Sequence, residues 1–102
     1  MDITSKETKK CICVVLPTFN EEANIEQCLE SVFLHQEPKQ NLMKVLVVDD
    51  NSSDNTQKIV AELKDRFSEL HMITGEKKGL GDAYKRGFNY SLDHLNPDVI
   101  FQ

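Results

Sequence analysis

The residues with chemistry to offer gather where two apolar runs stop. Val45, Leu46, Val47 and Val48 end at two adjacent carboxylates, Asp49 and Asp50, which are followed by the turn- and cap-forming string NSSDNT. An earlier apolar run over residues 11–16 ends at Pro17 and is followed by Phe19 and Glu21. The β-branched run before Asp49 reads as a strand buried on both faces, and open parallel α/β sheets bind ligands beyond their C-terminal strand ends. Carboxylates there accept hydrogen bonds from the N–H edge of a base and from ribose hydroxyls, and the ring of Phe19 offers a face for stacking. The ligand this chemistry suits is a nucleoside. Asp49, Asp50 and Asn51 suit plain turn chemistry equally well, so both readings stand at this point. A third loop, GEKKGLG over residues 75–81, carries Lys77 and Lys78. These are either cations for ligand phosphates or ordinary solvated loop residues.

Competing chemistries are excluded residue by residue. The first two strand ends read PTFNEEANI and DDNSSDNT, which lack the glycines of a dinucleotide fingerprint or a P-loop. A calcium loop on Asp50, Ser52 and Asp54 fails because Asn55 stands where glycine is required and Ala61 where glutamate is required. Cys11, Cys13 and Cys28 are an odd set without a second ligand pair, so neither a disulfide framework nor a metal site follows. All three are expected to be small buried hydrophobes in a reducing compartment. A net charge of −5 argues against a nucleic-acid partner.

The elements that must position these residues follow from periodicity. Asn20, Glu21 and Glu22 are expected to cap a first helix whose inward stripe is Ile25, Cys28, Leu29, Val32 and Phe33. A segment broken by Pro38 leads to the second strand. A second helix is expected to open at Ser53 or Asp54, with Gln57 in a capping box. It would bury Ile59, Val60, Leu63 and Phe67 and leave Lys58, Glu62, Lys64, Asp65 and Arg66 solvated. A short strand at residues 71–74 precedes a third helix over 82–95 with Tyr84, Phe88, Ser91, Leu92 and Leu95 inward, ended by Asn96 and Pro97. A fourth strand covers 98–102. Four strands alternating with three helices predict an α/β fold, a Rossmann-like three-layer sandwich with a parallel sheet; the strand order expected for it is 3-2-1-4. With 102 residues the chain suits one domain that buries roughly 60–70% of its unfolded surface. Residues 1–10 read as a disordered polar leader, neither signal peptide nor membrane span, and no apolar run approaches the ~18 residues of a bilayer crossing. A cytoplasmic protein is expected.

Three segments together, VVLPTFNEEANI, VLVVDDNSSDNT and KKGLGDAYKRGF, resemble the N-terminal half of a family 2 glycosyltransferase of the GT-A fold. The spacing of the third is closest to the dolichyl- or polyprenyl-phosphate mannosyltransferase branch. The resemblance covers residues 11–102. It implies that Pro17, Phe19 and Glu21 line a nucleotide-sugar pocket with Asp49 and Asp50, that Asp50 accepts from the base, and that Lys78 faces the nucleotide. Tyrosine is more usual at position 19, so Phe19 keeps the stacking face and loses the hydroxyl. It further implies a GDP- or UDP-sugar donor, a lipid-phosphate or other acceptor at the cytoplasmic face of a membrane, inversion, and Mg²⁺ or Mn²⁺ on the pyrophosphate. The family's metal-binding Asp-x-Asp would follow a strand such as DVIFQ, and its catalytic base lies further on. The sheet is therefore expected to be incomplete at its C-terminal side, and these residues alone are expected to transfer no sugar. KVLVVDDNSSDN also resembles the opening of a two-component receiver domain, a reading that leaves the first strand and helix without a place.

Overall fold

The computed structural model describes residues 10–34, 41–76 and 79–101. Its elements are β1 (Cys11–Thr18), α1 (Ile25–Leu34), β2 (Leu42–Asp49), α2 (Thr56–Leu63), β3 (Leu70–Thr74), α3 (Leu80–Tyr90), a π-helical turn (Ser91–Leu95) and β4 (Val99–Phe101). The four strands form one sheet in the order β3-β2-β1-β4, with every pairing parallel. Both the expected order and the expected three layers hold. Of the polar leader expected over residues 1–10, residues 1–9 lie outside the described residues.

Strand alternation divides the core into two halves. On one face Val45, Val47 and Leu70 pack with Ile25 and Leu29 of α1 and with Val60 and Leu63 of α2. On the other, Cys13, Val15, Leu46 and Val48 pack with Ala83 of α3 and Leu95 of the π turn. The central strand β2 is buried on both sides from Val45 to Val48, as its unbroken apolar run demanded. Each fully buried Val or Leu contributes about 1.5–3 kcal/mol, so β2 is the natural anchor of the sheet.

Several local expectations are corrected. β1 runs past Pro17, which pairs with Val48. Proline is tolerated there because β4 pairs only with Ile12, Cys13 and Val14, leaving β1 an edge at that point. Cys28 is exposed and Cys11 half-buried, while Cys13 is buried. The buried residues of α1 are Ile25 and Leu29, one helical turn apart, and Cys28 lies beside that stripe and not on it.

The third helix departs furthest from expectation. Its inward stripe is Ala83, Gly87, Ser91 and Leu95, whereas Phe88 and Leu92 are exposed at 40% and 53%. Gly87 explains the rotation: a Cβ on it would lie 2.5 Å from Val15 Cγ1 and 2.8 Å from Val48 Cγ2, so the helix backbone itself rests on the sheet. Steps of four residues overshoot a full α-helical turn by about 40°. The wider π turn takes up that drift, returning Ser91 to bond with Cys13 (Sγ···Oγ 3.3 Å) and Leu95 to the core. Lys44 Nζ donates to the Leu95 carbonyl at 3.0 Å. Asn96 then adopts a left-handed φ of 51°, and Pro97 follows to stop the helix.

Candidate functional site

Two loops leave the C-terminal edge of the sheet side by side, and polar side chains join them. Asn20 takes a left-handed φ of 52°, and its side-chain Oδ1 accepts from Ser53 N (2.8 Å) and Asp54 N (3.2 Å). In return Ser52 Oγ accepts from Asn20 N at 2.8 Å, Thr56 Oγ1 from Glu21 N at 2.8 Å and Asp54 Oδ2 from Glu22 N at 3.1 Å. Glu22 Oε1 accepts from Asn55 N at 3.1 Å. Asn20 therefore does not cap its own helix, as expected from sequence, but ties the β1–α1 loop to the β2–α2 loop. Nor does Gln57 form a capping box. The second helix begins at Thr56, later than expected, with its first turn served by Asp54 Oδ1, which accepts from Thr56 N at 2.9 Å.

The neighbours Asp49 and Asp50 are put to different uses. Asp49 is fully buried and accepts from Thr18 Oγ1 (2.6 Å), Ser52 Oγ (2.6 Å), Ser52 N (2.8 Å) and Gln57 Nε2 (2.8 Å). Burial pushes its pKa up, but the hydrogen bonds from Ser52, Thr18 and Gln57 outweigh it and hold the carboxyl below the ordinary range. Asp50 turns to the opposite face. Its Oδ2 accepts from Gly79 N at 3.1 Å and its Oδ1 from Arg86 Nη2 at 3.1 Å. Arg86 Nε in turn donates to Asp82 Oδ2 at 2.7 Å, one helical turn back.

Beside Asp50 opens a cleft of about 510 Å³ lined by Pro17, Thr18, Phe19, Glu21, Asp50, Gly79, Leu80 and Ala83. Four of the residues singled out in the sequence, Pro17, Phe19, Glu21 and Asp50, thus converge on one lining. Asp49 is not among them, since its carboxylate is spent inside the loop. Lys78, with Lys77, lies outside the described residues. Phe19 and Leu80 are both partly exposed large apolar residues, at 37% and 61%, and supply the apolar walls. Arg86 was not singled out by the sequence. It lies 36 positions from Asp50, and only the i,i+4 spacing from Asp82 hinted that it had a fixed place.

Among the described residues no three His, Cys, Asp or Glu side chains converge as a metal ion would require. No helix among them is long and apolar enough to cross a membrane.

Comparison with known proteins agrees with this geometry. Residues 13–94 match the profile of Glycosyl transferase family 2. A dolichyl N-acetyl-alpha-D-glucosaminyl phosphate 3-beta-D-2,3-diacetamido-2,3-dideoxy-beta-D-glucuronosyltransferase of Methanococcus voltae is 37% identical over 88% of this chain and 28% of its own length. Polyprenol monophosphomannose synthase of Mycolicibacterium smegmatis is 36% identical over 87% of this chain and 32% of its own. Among solved structures, the mannosyltransferase PcManGT from Pyrobaculum calidifontis, in complex with GDP-Man and Mn²⁺, superposes with a TM-score of 0.71 at 24% identity. That match covers 80% of this chain and 24% of the other, and is a likeness of fold. The chain spans under a third of the length of each of these relatives. The receiver-domain reading falls with these matches and with β1, which sits inside the sheet between β2 and β4.

Proposed function

This chain belongs to glycosyl transferase family 2, and from that premise we propose that its cleft holds the nucleoside of a nucleotide-diphosphate sugar for a glycosyl transfer. The base stacks on Phe19, with Leu80 as the opposing apolar wall, and its N–H edge donates to Asp50. Pro17 closes one side and Glu21 accepts from ribose hydroxyls. Asp49 contributes from behind the lining, by holding Ser52 and Thr18 where the two loops meet, and Lys78 meets the phosphates.

The donor is a GDP- or UDP-sugar. Mannose is the favoured sugar, because a polyprenol monophosphomannose synthase is among the similar relatives and the similar fold of PcManGT binds GDP-Man. The same relative supports a polyprenyl-phosphate acceptor; to this we add transfer by inversion at the cytoplasmic face of a membrane. A cation such as the Mn²⁺ of PcManGT would find its ligands outside the described residues.

The observation that carries this reading is the convergence of Pro17, Phe19, Glu21 and Asp50 on one lining. Calorimetric titration with GDP, UDP and GDP-mannose tests it. Asp50→Asn is expected to weaken binding by about 10- to 150-fold, the value of a desolvated hydrogen bond to a charged group. Unchanged affinity in both Asp50→Asn and Phe19→Ala would overturn the assignment.

A further inference from the structure

Arg86 is not part of the cleft lining, yet its guanidinium is held on three sides. Its Nη2 reaches Asp50 Oδ1 at 3.1 Å and its Nε reaches Asp82 Oδ2 at 2.7 Å. Its Nη1 is buried and has no hydrogen-bond partner among the described residues. On the third side lies bare backbone: a Cβ on Gly75 would stand 2.1 Å from Arg86 Nη1 and 2.6 Å from its Cζ. Gly75 is itself fixed at the end of β3 by its N–H, which donates to the Asp49 carbonyl at 3.1 Å. Its φ is not in the left-handed region, so the backbone there accepts any residue. Glycine is needed for room.

We propose that Arg86 is a positioning residue for Asp50, a strut seated on Gly75 and steered by Asp82 that fixes the carboxylate in the orientation that receives the base. The inference rests on the nucleoside reading of the cleft. Asp50 accepts on both oxygens, from Gly79 N and from Arg86 Nη2, and it lines the cleft, so a fixed carboxylate is presented to a ligand donor. Arg86 divides its planar fork between two carboxylates, Nη2 on Asp50 and Nε on Asp82, a fixed arrangement that a lysine ammonium cannot reproduce. With the side chain of Asp50 only 10% exposed, loss of the guanidinium would take the charged donor from a nearly desolvated carboxylate and loosen its Oδ1 side.

Arg86→Met, Arg86→Lys, Gly75→Ala and Asp50→Asn, alone and with Arg86→Met added to Asp50→Asn, are titrated calorimetrically with GDP and with UDP. Circular dichroism melts establish that each variant is folded. Arg86→Met, which keeps bulk without donors, is expected to lose roughly 10- to 100-fold in affinity. Arg86→Lys should retain part of it. Gly75→Ala should weaken binding with Arg86 still present, because the new methyl displaces the guanidinium. In the Asp50→Asn background Arg86→Met should change affinity by no more than about twofold, since its effect passes through Asp50.

If Asp50→Asn binds like the wild type, the nucleoside reading fails and this inference goes with it. If Asp50→Asn weakens binding while Arg86→Met does not, the positioning role alone is overturned. Met serving as well as Lys, or full additivity with Asp50→Asn, would reduce Arg86 to a packing residue and overturn it too. Should Arg86→Met fail to fold, Gly75→Ala alone and combined with Asp50→Asn decides by the same criteria.

Discussion

Asp49 and Asp50 are consecutive in the chain and stand on opposite faces of the sheet, one accepting four protein hydrogen bonds and the other lining the cleft. Asp49→Asn places an NH₂ among donors. Each donor left unsatisfied costs about 1–3 kcal/mol, so urea unfolding should show a clear loss of stability. Asp50→Asn should unfold closer to wild type and lose nucleotide binding instead. Equal stability losses would contradict this division.

The same four hydrogen bonds set an acid dependence. The folded pKa of Asp49 is depressed below its ordinary 3.8, so its contribution is fully present above that value and is lost as pH falls through the lower folded value. Unfolding free energy measured between pH 7 and pH 2 should decline in that acid window. The decline should be shallower in Asp49→Asn, and identical slopes would remove Asp49 as its source.

Glycines of α3 should respond in opposite directions to alanine. At Gly87 the new methyl meets Val15 and Val48, both fully buried, and overpacking of this kind costs about 1–3 kcal/mol, more than the helix-propensity gain of up to ~1 kcal/mol. At Gly81 no atom lies within 4 Å, so Gly81→Ala should stabilise by roughly 0.5 kcal/mol. Thermal melts of the two variants should shift to opposite sides of wild type.

Asn20 combines a backbone role with a bridging one, and two substitutions separate them. Asn20→Gly keeps the left-handed φ of 52° and loses the bonds to Ser53 and Asp54, whereas Asn20→Ala loses the bonds and strains the backbone by a further ~1–2 kcal/mol. Alanine should therefore be the more destabilising by denaturant titration. Both should weaken nucleotide binding, because Phe19 and Glu21 ride on the same loop.

Much of this was legible in the sequence because the relevant signals are local. Apolar runs ending at Pro17 and at Asp49 marked two strands, and strand ends in a parallel sheet face one edge, which brought Phe19, Glu21 and Asp50 together. The inward face of α3 was not legible. Periodicity weighs large apolar residues, and Phe88 and Leu92 outweighed Ala83 and Gly87, although the small pair is what lets the helix touch the sheet. Asn20 has the residue type and place of a cap for the helix that follows it, but its partners come from another loop. Arg86 was hidden for the same reason: its significance depends on Gly75 and Asp50, which only the folded chain brings near.

The π-helical turn carries a consequence for how chain length can vary. A π turn holds one residue more than an α turn, and here it lies between the helix stripe on the sheet and the strand that pairs with β1. One residue fewer between Ser91 and Leu95 would close the segment as plain α-helix and turn Leu95 off the core to which the wider turn returns it. The length of this turn is therefore fixed by both of its ends, by Ser91 against Cys13 and by Leu95 against the sheet.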